Sequence, residues 1–147
     1  MLSIRLICVG KMKEKFYIDA YNEYAKRLSA YCRLELTEIP ESSLDKEAAA
    51  VIKYLDKSAY VIAMAIEGEK LSSEALAEKI NSLAVNGTSQ IVFIIGGSEG
   101  LSDDVKRRAD CRLSMSDMTF PHHLARVMLA EQIYRSFKIN EGSRYHK

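Results

Sequence analysis

Nothing in this sequence calls for a membrane, a secretion route or a metal. The longest unbroken apolar runs, Tyr60 to Ile66 and Ile91 to Ile95, fall far short of the about 20 residues that a membrane-spanning helix needs. The opening Met1 to Val9 segment has no basic leader ahead of its apolar residues and no small-residue cleavage site behind them, so it does not read as a secretion signal. Cysteine is scarce: Cys8, Cys32 and Cys111 are odd in number and form no C-x-x-C pair. That pattern suits buried free thiols in a reducing compartment better than bridges or zinc ligands, and a cytoplasmic chain is the expectation. The only prolines are Pro40 and Pro121, and no repeat, low-complexity stretch or linker interrupts the chain. Its 147 residues therefore read as one domain, 1–147, large enough to hold a core without staples. No G-x-x-x-x-G-K-[ST] or G-x-G-x-x-G occurs, and the adjacent His122 and His123 fit no H-E-x-x-H pattern, so no metal site is expected.

Charge is nearly balanced at +1, but it is unevenly placed. Residues 1–34 carry seven Lys or Arg and three acids, residues 35–100 five and eleven, and residues 101–147 nine and six. If the fold joins the two basic ends, a phosphate-facing surface results; otherwise these are scattered solvated charges.

Apolar runs alternate with helical patterns throughout. Leu2 to Val9 and Arg33 to Ile39 read as strands, with Pro40 closing the second. Tyr17, Tyr21, Tyr24 and Leu28 recur at helical spacing, as do Ala48, Val51, Ile52 and Leu55. Tyr60 to Ile66 is a continuous run of the kind buried on both faces of a parallel sheet, and Gly68 is expected to end it. Ser72 or Ser73 can cap a third helix that Asn86-Gly87 stops; Gln90 to Ile95 is a fourth strand. Ser102 caps a short polar helix, Cys111 to Met115 is a brief strand, and Pro121 can open the last helix. That helix is apolar on nearly every side, through Leu124, Val127, Met128, Leu129, Ala130, Ile133, Tyr134 and Phe137. One side can meet the sheet and another a second copy, so a homodimer with this helix in its interface is expected. The alternation predicts an α/β fold with a mostly parallel sheet and helices on both faces.

Gly96, Gly97 and Gly100, after the fourth strand, let backbone approach a ligand at the carboxyl end of a strand, where α/β sheets bind ligands. Gly96-Gly97-Ser98-Glu99-Gly100 also matches a G-x-S-x-G elbow, with Asp110 or Asp117 and then His122 in hydrolase order. A small serine hydrolase using Ser98 is thus an alternative, opposed by the polar helix that follows. Leu113 to Arg126 runs from a strand through a Met-rich loop able to cradle an aromatic base. Within it His122 and Arg126 lie four apart, a spacing suited to holding an anion or to a surface pair. The tail Arg144-Tyr145-His146-Lys147 combines a stacking ring, cations and an imidazole, the parts of a single-stranded RNA contact. A non-catalytic RNA-binding or ribosome-associated module shares these basic ends, but gives the glycine cluster nothing to bind.

Taken together, Ile94 to Ser102, Leu113 to Arg126, Ala130-Glu131-Gln132-Ile133-Tyr134-Arg135, the terminal Tyr145-His146, the opening Val9-Gly10-Lys11 and Glu23-Tyr24 resemble the RlmH family of ribosomal RNA methyltransferases, over essentially the whole chain. The resemblance implies the smallest kind of SPOUT methyltransferase: a homodimer with a C-terminal trefoil knot that uses S-adenosylmethionine. It implies as substrate a pseudouridine in helix 69 of 23S rRNA, methylated at N3 in assembled ribosomes. On matching positions, cofactor contacts would come from Met64, Gly96, Met115, Ser116, Asp117, Met118, Thr119 and Phe120, mostly through backbone. Arg135, Tyr145 and His146 are then the catalytic candidates, with His146 or a nearby group assisting deprotonation, and Arg144, Tyr145, His146, Lys147, Arg126 and His122 the candidate RNA contacts.

Overall fold

A computed structural model describes residues 1–146. Five strands, β1 (Ser3–Val9), β2 (Arg33–Ile39), β3 (Tyr60–Lys70), β4 (Gln90–Ile95) and β5 (Cys111–Ser114), alternate with five helices, α1 (Lys15–Leu28), α2 (Leu44–Lys53), α3 (Ser73–Val85), α4 (Asp103–Arg108) and α5 (His122–Asn140). The strands form one sheet in the order β2-β1-β4-β3-β5, and every pairing is parallel. Alternate residues of the central strands serve two cores. Ile4, Leu6 and Cys8 of β1 and Ile91, Phe93 and Ile95 of β4 pack with α1, α3 and α5. Ile7, Val9, Val92 and Ile94 pack on the opposite face with α2 and α4. Burial on both sides explains why these strands are apolar runs rather than alternating ones.

Helix starts follow local chemistry. The Ser43, Ser72 and Ser102 hydroxyls accept from the backbone amides of Lys46, Ala75 and Val105, satisfying donors that a helix start leaves free. Pro121 sits one residue earlier than expected, as the residue before the helix, and α5 begins at His122.

Gly68 does not end β3. The strand pairs with β5 through Met64 and Leu113, bulges, and pairs again through Glu69 with Leu113 and Lys70 with Ser114. Glycine is required there because a Cβ at residue 68 would lie 2.7 Å from the Arg112 carbonyl carbon and the Leu113 nitrogen. It marks a close approach of two backbones, not a stop.

Two connections cross at the carboxyl ends of the strands. Residues 96–102 carry the chain from β4 to α4 on one face, and residues 115–121 carry it from the β5 edge back to α5 on the other. The two segments line one cleft together. Helix α5 then runs between α1 and α3, held by Arg126. This guanidinium has no exposed surface, pairs with Glu38 at 2.5 Å, and donates to the Gly10 carbonyl at 2.8 Å. Glu38 also accepts from the Met12 amide, so one ion pair ties α5 to the end of β2 and the turn after β1. The expectation that Arg126 meets RNA is corrected here: it is consumed inside the fold.

Arg126 has no exposed side-chain surface while 30% of the Glu38 side chain is open to solvent, so it is loss of Glu38 that strands a buried charge. Glu38→Gln is expected to cost about 3–5 kcal/mol of unfolding free energy in urea titrations. A loss under about 1 kcal/mol, the value of an exposed pair, would contradict the assigned role.

Candidate functional site

The crossing connections wall a pocket at the carboxyl ends of β3 and β4. Its inner part, about 170 Å³, is lined by Met64, Ala65 and Ile66, by Ile95, Gly96, Gly97 and Gly100, and by residues 113–116 and 118–120. An outer cleft of about 600 Å³ opens beside it, past Glu67, Ser98, Glu99, Leu101 and Lys106. The glycine turn is tight: Gly97 accepts from the Gly100 amide at 3.0 Å, and a Cβ at residue 96 would overlap the Gly100 carbonyl. Gly100 itself has φ +75°, the left-handed region that glycine enters without strain. Residues 115–121 belong to no strand or helix; the Pro121 carbonyl accepts from the Ala125 amide of α5, the Ser116 carbonyl from the Ser114 hydroxyl, and the Met118 amide donates to the Ser116 hydroxyl.

Of the cofactor candidates, Met64, Gly96, Met115, Ser116, Met118, Thr119 and Phe120 line this inner pocket. Asp117 turns away, its carboxylate paired with Lys70 in solvent. Ile66 and Met118, large apolar side chains 61% and 72% exposed, stand at the rim. Sequence reading did not pick out Ile66 or the Lys106–Glu67 pair, 2.8 Å apart, because only the return of residues 115–121 across β3 makes this region a cleft wall.

The hydrolase alternative is not assembled. Asp110 accepts from the Val61 amide at 2.8 Å, at the amino end of β3, opposite the end that carries Ser98. Asp117 is bound to Lys70, and His122 lies 3.6 Å from Glu41, so neither completes a relay to Ser98. The three thiols are free. Burial pushes Cys8 up to about 12 and Cys32 up to about 11, far from reactive thiolates.

The tail builds a second cluster. Tyr145 lies edge-on to Tyr134 at 5.0 Å and beneath the Arg135 guanidinium at 4.9 Å, and its hydroxyl donates to Glu131 at 2.9 Å. His146 places Nδ1 3.0 Å from Arg135 and Nε2 against Glu74 of α3. Burial and the Glu131 bond push the Tyr145 phenol up to about 12, so it is a donor at neutral pH and not a base. Arg144 is exposed. Lys147, the other tail cation expected at RNA, lies outside the described residues. Arg135, Tyr145 and His146 line neither compartment of the pocket, so within one chain the catalytic candidates and the cofactor candidates are apart. A groove of about 500 Å³ beside the tail cluster, between the start of α3 and α5, shares Leu113, Ser114 and Met115 with the inner pocket.

A parallel sheet whose pocket lies between two crossing connections at the carboxyl ends of its strands defines a small-ligand-binding α/β domain. The family model described as "Predicted SPOUT methyltransferase" matches residues 2–146, and the chain belongs to that family, with its knotted α/β fold. A protein of Bifidobacterium adolescentis named ribosomal RNA large subunit methyltransferase H is 51% identical over 159 aligned positions, covering 99% of this chain and 100% of that protein. A Methanococcus maripaludis relative, 49% identical with the same coverage, carries the same name with its activity marked provisional. Among solved structures, the tRNA (m1G37) methyltransferase of Aquifex aeolicus shares the fold with TM-score 0.53 and 19% identity, over 91% of this chain and 69% of that one.

His122, at the pocket wall, is half-buried, and burial, reinforced by His123, lowers its pKa below the ordinary 6.5. It is neutral at pH 7 and offers no charge to a phosphate, which weakens its case as an RNA contact. The unfolded chain binds this proton more readily, so His122 makes the fold lose stability as pH falls through 6.5 toward the lower folded value. His122→Gln is expected to flatten the decline in unfolding free energy between about pH 7 and 5. A decline as steep as in the wild type would contradict the assignment.

Proposed function

We propose that this protein methylates large-subunit ribosomal RNA with S-adenosylmethionine as donor, at N3 of a pseudouridine in helix 69 of 23S rRNA, on assembled ribosomes in the cytoplasm. The observation that carries the reading is the glycine-walled pocket, in a chain about half identical over its full length to proteins named for this activity. The donor fits the pocket. Its inner wall is mainly apolar side chain and loop backbone, with Ser114, Ser116, Thr119 and His122 as its polar residues, suited to an adenine ring, and among the described residues no Lys or Arg lines it to repel a sulfonium. Met64, Gly96, Met115, Ser116, Asp117, Met118, Thr119 and Phe120 would hold it, Asp117 through backbone alone. Bound there, it supplies an already activated methyl group, so no covalent protein nucleophile is needed.

What remains for the protein is alignment and removal of the N3 proton. Arg135, Arg144 and Tyr145 orient the nucleotide, and the proton falls to His146, because Tyr145 is held protonated. Since these residues stand apart from the pocket of their own chain, a second copy completes the site. Helix α5 supplies the contact, with Val127 and Met128 facing the open groove beside the tail. A binding module without chemistry has no use for the pocket.

Isothermal titration with S-adenosylmethionine, with adenosine as the weaker control, is expected to show saturable binding. Gly96→Ala is expected to weaken it at least about tenfold, about 1.4 kcal/mol, as the turn opens to admit a Cβ. Methyl transfer is expected to assembled ribosomes and not to free rRNA. A folded wild-type protein that neither binds the donor nor transfers methyl to ribosomes would overturn the reading.

A further inference from the structure

The pocket accounts for neither Glu131 nor Glu74, yet each is bonded to a catalytic candidate. The Glu131 carboxylate, mostly buried, receives both sides of the Arg135 fork, at 2.7 Å and 3.4 Å, together with the Tyr145 hydroxyl at 2.9 Å. A bidentate guanidinium has one orientation, so a single carboxylate fixes both the plane of Arg135 and the ring it covers. Glu74, in the first turn of α3, meets Nε2 of His146, and the bond holds its own carboxyl below the ordinary range. The other nitrogen, Nδ1, faces Arg135, which can only donate. That fixes the tautomer: the proton sits on Nε2, toward Glu74, and the lone pair is on Nδ1. The charged and titratable groups facing His146 are thus Glu74 from α3, Arg135 from α5 and, through Arg135, Glu131 and Tyr145.

We propose that Glu131 and Glu74 are positioning residues for methyl transfer, and that Nδ1 of His146 is the proton acceptor. Glu131 aligns Arg135 and Tyr145 against the nucleotide. Glu74 keeps the His146 proton on Nε2 and stabilises the imidazolium that forms when the arriving nucleotide displaces the Arg135 N–H from Nδ1 and the N3 proton passes to that nitrogen. The electron pair freed on N3 forms the bond to the methyl carbon, whose bond to sulfur breaks to leave a neutral thioether. A carboxylate that orients an imidazole and selects its tautomer is an arrangement that hydrolytic triads also use.

This inference rests on the proposed methyltransferase activity, and its test separates the two. Single-turnover transfer to ribosomes is measured across pH for the wild type, Glu74→Gln, Glu131→Gln and Glu131→Asp, alongside donor affinity and thermal stability. Glu74→Gln is expected to move the ascending limb toward acid and lower the plateau about tenfold, because an amide no longer stabilises the imidazolium. Glu131→Gln is expected to lower the rate about tenfold or more without moving the limb, with Glu131→Asp partly restoring it. Donor affinity is expected to stay at the wild-type value, and the loss of rate to exceed what any change in melting accounts for. Wild-type pH profiles and rates in both Gln variants, or losses that follow melting alone, would overturn the inference and leave the activity standing. A wild type that transfers no methyl group removes the activity, and the inference with it.

Discussion

The pairing of the buried Arg126 with Glu38 is the constraint on which the rest of the structure depends. Helix α5 reaches its place only after the chain has left the far edge of the sheet at β5 and crossed the ends of β3 and β4. An apolar helix arriving by that route has no preferred rotation from hydrophobic burial alone. The guanidinium supplies one, because its partners are a single carboxylate and a single carbonyl on the opposite half of the sheet. With that rotation fixed, residues 115–121 lie against the glycine turn and the pocket has its third wall. Burying a charge costs far more than a hydrophobic replacement would, so the pair is better understood as specifying where α5 sits than as raising stability.

From this placement the two functional clusters follow. The amino end of α5 closes the pocket through His122 and Ala125, while its later turns carry Glu131 and Arg135 to the tail. From Ala125 to Arg135 the helix rises about 15 Å, so the two clusters stand at different levels along it. The proposed completion by a second copy would bring both clusters to one ligand, and it gives a use to the part-exposed Val127 and Met128 of this helix.

Much of this was legible in the sequence because it is local. The serine caps, the apolar runs of β3 and β4 and the glycine turn are each set by residues a few positions apart. What was not legible depends on distant backbone. Gly68 reads as a strand end, and only the return of β5 alongside shows it to be a point where two backbones nearly touch. Arg126, four residues after His122, reads as half of a surface pair, since nothing near it in sequence reveals Glu38. The tail's composition suggested RNA contact, but its fastening to Glu131 and Glu74 joins positions 14 and 72 residues apart.

The central claim is that one chain supplies the cofactor pocket and its partner the tail. It is tested most directly by mixing Gly96→Ala, with a weakened pocket and assayed at donor concentrations well below its Kd, with His146→Ala, with a disabled tail, and measuring methyl transfer to ribosomes after subunit exchange. The account predicts that equal mixing restores about a quarter of wild-type activity, because half the dimers are mixed and each carries one intact site. Mixed dimers that form and stay inactive would contradict it, showing that each chain must complete its own site.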